Sequence, residues 1–279
     1  MLYGLRFILV CLLSLMMSLA CIGCGEEQQV AEQPEAGQET TPPAKENPIV
    51  VGGKNFTEQY ILAELAGLLL EEEGFDVSLK TGVGTNIARQ SLENGQIDLY
   101  YEYTGTAYTV FYEQGEQEVM SDPEQVYNWV KEADDEKGLV WLEPVNFNNT
   151  YTLMMRKDHA DELNITSITD LSRYVGENPG DLIVGVGAEF WERPDGYKAL
   201  AEIYELNAAP EDIKKMSLGL TYKALLEEEV DVAMGFATDG RIAAFGLVNL
   251  EDNRDFFAVY NPAPVARQDA LEKYPEIRD

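Results

Sequence analysis

IVVGGKNFTEQ (residues 49–59) joins a β-rich run to a helical period. Residues 49–51 read as a short strand that ends at Gly52 and Gly53. Asn55 stands three places before Glu58, a capping-box spacing, and Ile61, Leu65, Leu68 and Leu69 then fall on one helical face. Gly74 stops that helix, and residues 76–80 alternate like a strand. Working outward, the same unit recurs. Gly82-Val83-Gly84-Thr85 turns into a helix through Ala88 and Leu92, and residues 97–101 are the next strand. Asp122-Pro123 opens a helix whose apolar side is Val126, Trp129 and Val130. Strands are expected at 139–142, 151–156, 182–186 and 230–234, with short extended pieces at 256–260 and 264–267. Helices are expected at 165–174, 196–206, 222–229 and 239–245. Strands alternating with helices define an α/β class with largely parallel sheets. About 230 residues suit two lobes of about 100 each better than one doubly wound sheet.

The chain has 279 residues, with 20 Lys+Arg against 50 Asp+Glu, a net charge of −30. A field of that sign repels phosphate backbones and excludes nucleic acid as a partner. His159 is the only histidine, so a mechanism that needs two imidazoles is excluded. The three cysteines are Cys11, Cys21 and Cys24. The rest of the chain has no thiol for a disulfide framework, a CxxC pair or a thiolate metal site. No nucleotide, nucleophile-elbow or zinc-protease motif is present, and no cofactor is expected.

Residues 1–24 read as a secretory signal, with Arg6 before the apolar run FILVCLLSLMMSLA at 7–20. Small residues surround Cys21 and Cys24 in a pattern that resembles a bacterial lipobox. Cys24 or Cys21 is therefore expected to carry a lipid. Residues 25–47 are rich in Glu, Gln and Pro and are expected to be a disordered tether. Its r.m.s. reach would be roughly 25–30 Å.

Four turns after expected strands carry candidate chemistry. Lys54 sits before a helix N-terminus, a place that favours anions, and a plain cap with a solvated lysine is the other reading. DLYYEYTGTAY (98–108) packs tyrosines around a Thr-Gly-Thr turn. Such rings are either core packing or faces for a cation at the carboxyl end of a strand. FWERPDGY (190–197) offers Arg193 either to a ligand carboxylate or to an Arg–Asp pair within the turn. GFATDGR (235–241) again follows a strand, but Thr238 and Asp239 have no general base in view, since His159 lies in a charged stretch that reads as a solvated turn. Aromatic faces together with Lys, Arg and Thr donors suit a ligand with a cation lacking N–H donors at one end and a carboxylate at the other.

KNFTEQ, IDLYYEYTGTAY, ERPDG, FATDGR and the closing AVYNPAPVAR occur in an order that resembles the substrate-binding proteins of glycine betaine/choline (quaternary ammonium) ABC transporters. The resemblance runs from about residue 49 to the C-terminus. It implies a two-lobed, type II periplasmic-binding-protein fold with a ligand cleft between the lobes. Residues 48–147 plus 258–279 would form the first lobe and 148–257 the second. It implies an aromatic cage of Tyr103, Tyr151, Phe236 and Tyr260, with Phe236 where a tyrosine is usual. Lys54, Thr106 and Arg193 would hold the ligand carboxylate. Relatives usually continue beyond the position of Asp279 with helices that close the first lobe, so a shortened first lobe is expected. The implied role is capture of a quaternary ammonium compound outside the cell, anchored by lipid, and delivery to a membrane permease, without catalysis or a metal. A ligand sensor of the same fold, signalling to a membrane partner, is the alternative.

Overall fold

In a computed structural model, residues 47–278 are described; the expected signal, Cys21, Cys24 and the tether up to residue 46 lie outside them. Ten strands fall within the described part: β1 Pro48–Lys54, β2 Asp76–Val83, β3 Leu99–Tyr103, β4 Leu139–Trp141, β5 Tyr151–Arg156, β6 Val184–Gly187, β7 Ile213–Met216, β8 Val232–Phe236, β9 Leu247–Asn249 and β10 Pro262–Arg267. They build two five-stranded sheets, ordered β2-β1-β3-β10-β4 and β7-β6-β8-β5-β9.

The expectation of largely parallel sheets holds for four of the five strands in each sheet, and one inserted strand in each runs the other way. β1 runs parallel to β2 and β3, and β6 to β7 and β8. β10 is antiparallel to β3 and β4, and β5 is antiparallel to β8 and β9. The reason is connectivity. β5 and β10 are the strands by which the chain enters the second sheet and returns to the first, and each is inserted against the direction of its neighbours.

The helix Thr57–Glu72 departs from the expected reading in two ways. Its N-cap is Phe56, with no side-chain capping bond, so Asn55 and Glu58 form no capping box. The face of Ile61, Leu65, Leu68 and Leu69 is exposed, and Leu62, Ala63, Ala66, Gly67 and Leu70 are buried instead. The small residues let the helix lie close on the sheet: a Cβ on Gly67 would sit 3.3 Å from Leu79. The expected cap at Asp122 is present, its Oδ1 accepting from the backbone N–H groups of Glu124 and Gln125. The stretch around His159 is the helix Lys157–Leu163 and not a turn.

One apolar cluster runs from Leu92 and Tyr100 in the first lobe through Tyr151 to Leu200 in the second. A buried polar anchor stiffens the first lobe. Asp134 accepts from Arg89, from Trp141 Nε1 at 2.7 Å and from the Tyr112 hydroxyl at 2.5 Å. The two segments that cross between the sheets bond to each other. Asn149 N–H donates to Tyr260 O at 3.0 Å, and Tyr260 N–H donates to Asn148 Oδ1 at 2.8 Å.

Candidate ligand site

The parallel strands of both sheets direct their carboxyl ends at the gap between the lobes. Lys54 ends β1, Tyr103 ends β3, Gly187 ends β6 and Phe236 ends β8. Open α/β sheets place ligands at such ends, because loops there can project side chains into a shared crevice. All seven residues singled out from the sequence, Lys54, Tyr103, Thr106, Tyr151, Arg193, Phe236 and Tyr260, line one cavity. Its volume is about 30 Å³, room for one or two waters. Anything larger needs the lobes to part first.

Tyr151 is the hub of the rings. It opens β5 opposite Phe236 in the register with β8, and their centroids are 5.1 Å apart. It stacks on Phe190 at 4.7 Å and meets Tyr260 edge-on at 5.5 Å. Phe236 stacks on Phe56 at 4.7 Å, and Phe56 lies 5.9 Å from Tyr103. The aromatic wall therefore contains Phe56 and Phe190, which the sequence reading did not single out. Burial pushes the phenols of Tyr103, Tyr151 and Tyr260 well above their ordinary range, so they remain neutral donors.

The cations of the site are both paired. Lys54 Nζ donates to Glu102 Oε1 at 2.5 Å, and both side chains are buried. Burial lowers the Lys54 ammonium further than the attraction of Glu102 raises it. Lys54 is thus neither solvated nor free. Arg193 donates from Nε to Asp195 Oδ1 and from Nη2 to Asp195 Oδ2, each at 2.7 Å. Its Nη2 also reaches Thr106 Oγ1 at 3.4 Å. Nη1 lies 4.0 Å from Glu189 Oε1. The Arg–Asp pair in the turn is real but buried rather than superficial, and the same arginine lines the cavity. Gly196 makes this turn possible, since a Cβ there would lie 1.9 Å from Phe190 O. Gly105 does the same within the first lobe, where a Cβ would meet Tyr260 Cδ1 and Val259 O at 2.8 Å.

Asp195 ties the lobes together. It accepts from Tyr260 OH at 2.6 Å and from Thr109 Oγ1 at 2.8 Å besides Arg193. Burial alone would raise its carboxyl. The charge and hydrogen bonds of Arg193, with those two hydroxyls, outweigh burial and hold it below the usual carboxylate range. Asp134 is held low in the same way, and Asp170 falls to about 2 through its bonds to Ser167 and Thr166. A carboxyl lower in the folded than in the unfolded state stabilises above the unfolded value, near 4. Thermal stability should therefore decline as the pH falls from about 4 towards 2. Melting curves across that range check this, and a flat profile would contradict it.

Among the described residues no helix is long and apolar enough to cross a membrane, and no group of three His, Cys, Asp or Glu could hold a metal ion.

Two lobes joined by paired crossings, with the inserted-strand order given above, define a type II periplasmic binding protein. The structure aligns with one titled a glycine betaine/carnitine/choline ABC transporter at a TM-score of 0.65 and 27% identity, covering 82% of this chain and 84% of that one. With apo YehZ of Escherichia coli the TM-score is 0.58 at 33% identity, covering 83% and 84%. The chain belongs to the family described as the substrate binding domain of ABC-type glycine betaine transport systems, which matches residues 47–279. Over 232 residues it is 39% identical to the glycine-betaine-binding protein of Pseudomonas aeruginosa, covering 81% of this chain and 74% of that protein.

Proposed function

We propose that this protein captures glycine betaine or a related quaternary ammonium compound outside the cell and delivers it to an ABC transporter permease for osmoprotectant uptake. A lipid on Cys24 or Cys21 would hold it at the extracytoplasmic face of the membrane. The working lobes are residues 48–147 with 258–279, and residues 148–257. Its role is binding without catalysis.

The observation that carries this reading is the convergence of four ring faces and two basic side chains on one cavity between the lobes. A quaternary ammonium cannot donate a hydrogen bond, so charge and shape must recognise it, and the faces of Tyr103, Tyr151, Phe236 and Tyr260 supply both. Each is worth about 1–2 kcal/mol when water is excluded. Asp195 occupies Nε and Nη2 of Arg193, which leaves Nη1 to grip a ligand carboxylate together with Thr106 and Lys54. A charge-assisted bond adds about 1.5–3 kcal/mol. The sum exceeds the ~8 kcal/mol of a micromolar complex, and the surplus is consumed by ligand ordering and lobe closure.

Calorimetry with glycine betaine, carnitine, proline betaine and choline tests the proposal. Binding of at least one is expected, and no heat from any of them on folded protein overturns it. In the same assay Phe236→Ala should weaken binding about tenfold through loss of one face, while Phe236→Tyr, which keeps the face, should stay within about threefold.

A further inference from the structure

Glu58 is the second residue of the helix Thr57–Glu72, and its carboxylate joins three parts of the molecule. Oε1 accepts from the Tyr103 hydroxyl at 2.6 Å, within the first lobe, and from Asn149 Nδ2 at 2.8 Å, on the crossing segment. Oε2 accepts from Thr238 Oγ1 at 2.7 Å, in the turn after β8 of the second lobe. Thr238 Oγ1 also lies 2.9 Å from Asn149 Oδ1. The hydroxyl has one proton, and the anionic oxygen is the stronger acceptor. Beside this group Phe56 of the first lobe stacks on Phe236 of the second. Neither Glu58 nor Thr238 lines the cavity between the rings. Position in the first turn of a 16-residue helix favours the negative charge.

We infer that Glu58 is the latch of the cleft: it steadies the Tyr103 ring and, through Thr238, holds the second lobe against the first. It is a positioning residue that acts on closure and does not touch ligand. When the lobes part, the bond to Thr238 must break while those to Tyr103 and Asn149 can persist. The Glu58–Thr238 bond therefore contributes only to the closed form, and its loss shifts the hinge equilibrium towards open without altering any ligand contact. This rests on the cleft being the ligand site proposed above.

Thr238→Val is nearly isosteric and removes only the hydroxyl. Stopped-flow release of glycine betaine, carnitine and choline should quicken by about five- to tenfold, by one common factor for all three, since the change lies in closure. Glu58→Ala should quicken release too, and adding Thr238→Val to it should add little, because the first change already removes the acceptor of that bond. Unchanged release, ligand-specific factors, or additive effects overturn the latch. Small-angle scattering separates this from failure of the ligand reading. Both variants should have a larger radius of gyration than the parent under identical conditions, whatever the cleft binds. An unchanged radius in both overturns the latch, even if no ligand of the panel binds.

Discussion

Replacing Arg193 with alanine should cost about 3–5 kcal/mol of folding stability, because it strands a buried carboxylate. Asp195 is 8% exposed and would keep only the hydroxyl donors of Tyr260 and Thr109. Adding Asp195→Asn removes the stranded charge and should recover much of the loss. Chemical denaturation of the parent, the single and the double variant measures this. A loss under about 1 kcal/mol, the worth of an exposed ion pair, would falsify the buried-charge account. The same variant separates ligands under the proposed function. Affinity for glycine betaine should drop at least about tenfold more than affinity for choline, which has no carboxylate for the guanidinium. Equal losses would remove Arg193 from the carboxylate role.

Tyr151→Ala should be the most damaging change in the aromatic wall. Its ring touches Phe190, Phe236, Phe257 and Tyr260, and the Arg193 guanidinium lies 5.1 Å from its centroid. Large-to-small substitution of a buried aromatic costs about 3–5 kcal/mol. Loss of the ring that orders its neighbours should weaken a quaternary ammonium ligand by about a hundredfold or more. Tyr151→Phe retains the face and the packing, so its stability and affinity should remain close to the parent. Thermal melts and calorimetry on the pair decide it. A Tyr151→Ala protein that binds normally would show that the rings are core packing alone.

Much of the fold was legible because strands and helices alternate with clear punctuation. The expected strand at 151–156 coincides with β5, and Asp122-Pro123 starts its helix as expected. β7 (IKKM) and β9 (LVN) escaped detection because they are edge strands of three or four residues, too short and too polar to show a period. The first helix misled for a different reason. It offers two apolar stripes, one of large residues and one of Ala63, Ala66 and Gly67 with leucines. Close approach to the sheet selects the small one, and counting hydrophobic residues favours the other.

Within the site, the turn residues were legible as chemistry but their partners were not. Glu102, between tyrosines on a strand, shares a face with Tyr100 and so must be buried, which calls for a cation. That alternation could have pointed to Lys54, 48 residues away. Asp195 was in view only as a surface partner, and its bonds to Thr109 and Tyr260 depend on the lobes meeting. Asn149 and Glu58 meet across 91 positions of sequence and no local pattern announces them.

The insertion of β10 between β3 and β4 also governs the order in which the molecule can assemble. A chain that emerges N-terminus first exposes β3 and β4 before residues 262–267 arrive to fill the slot between them. The second lobe has all its strands within 151–249 and can complete its sheet before the C-terminal strand arrives. The lobe that is made first is thus finished last, and its unfilled strand edges are the part of the polypeptide that a holding chaperone has most reason to cover.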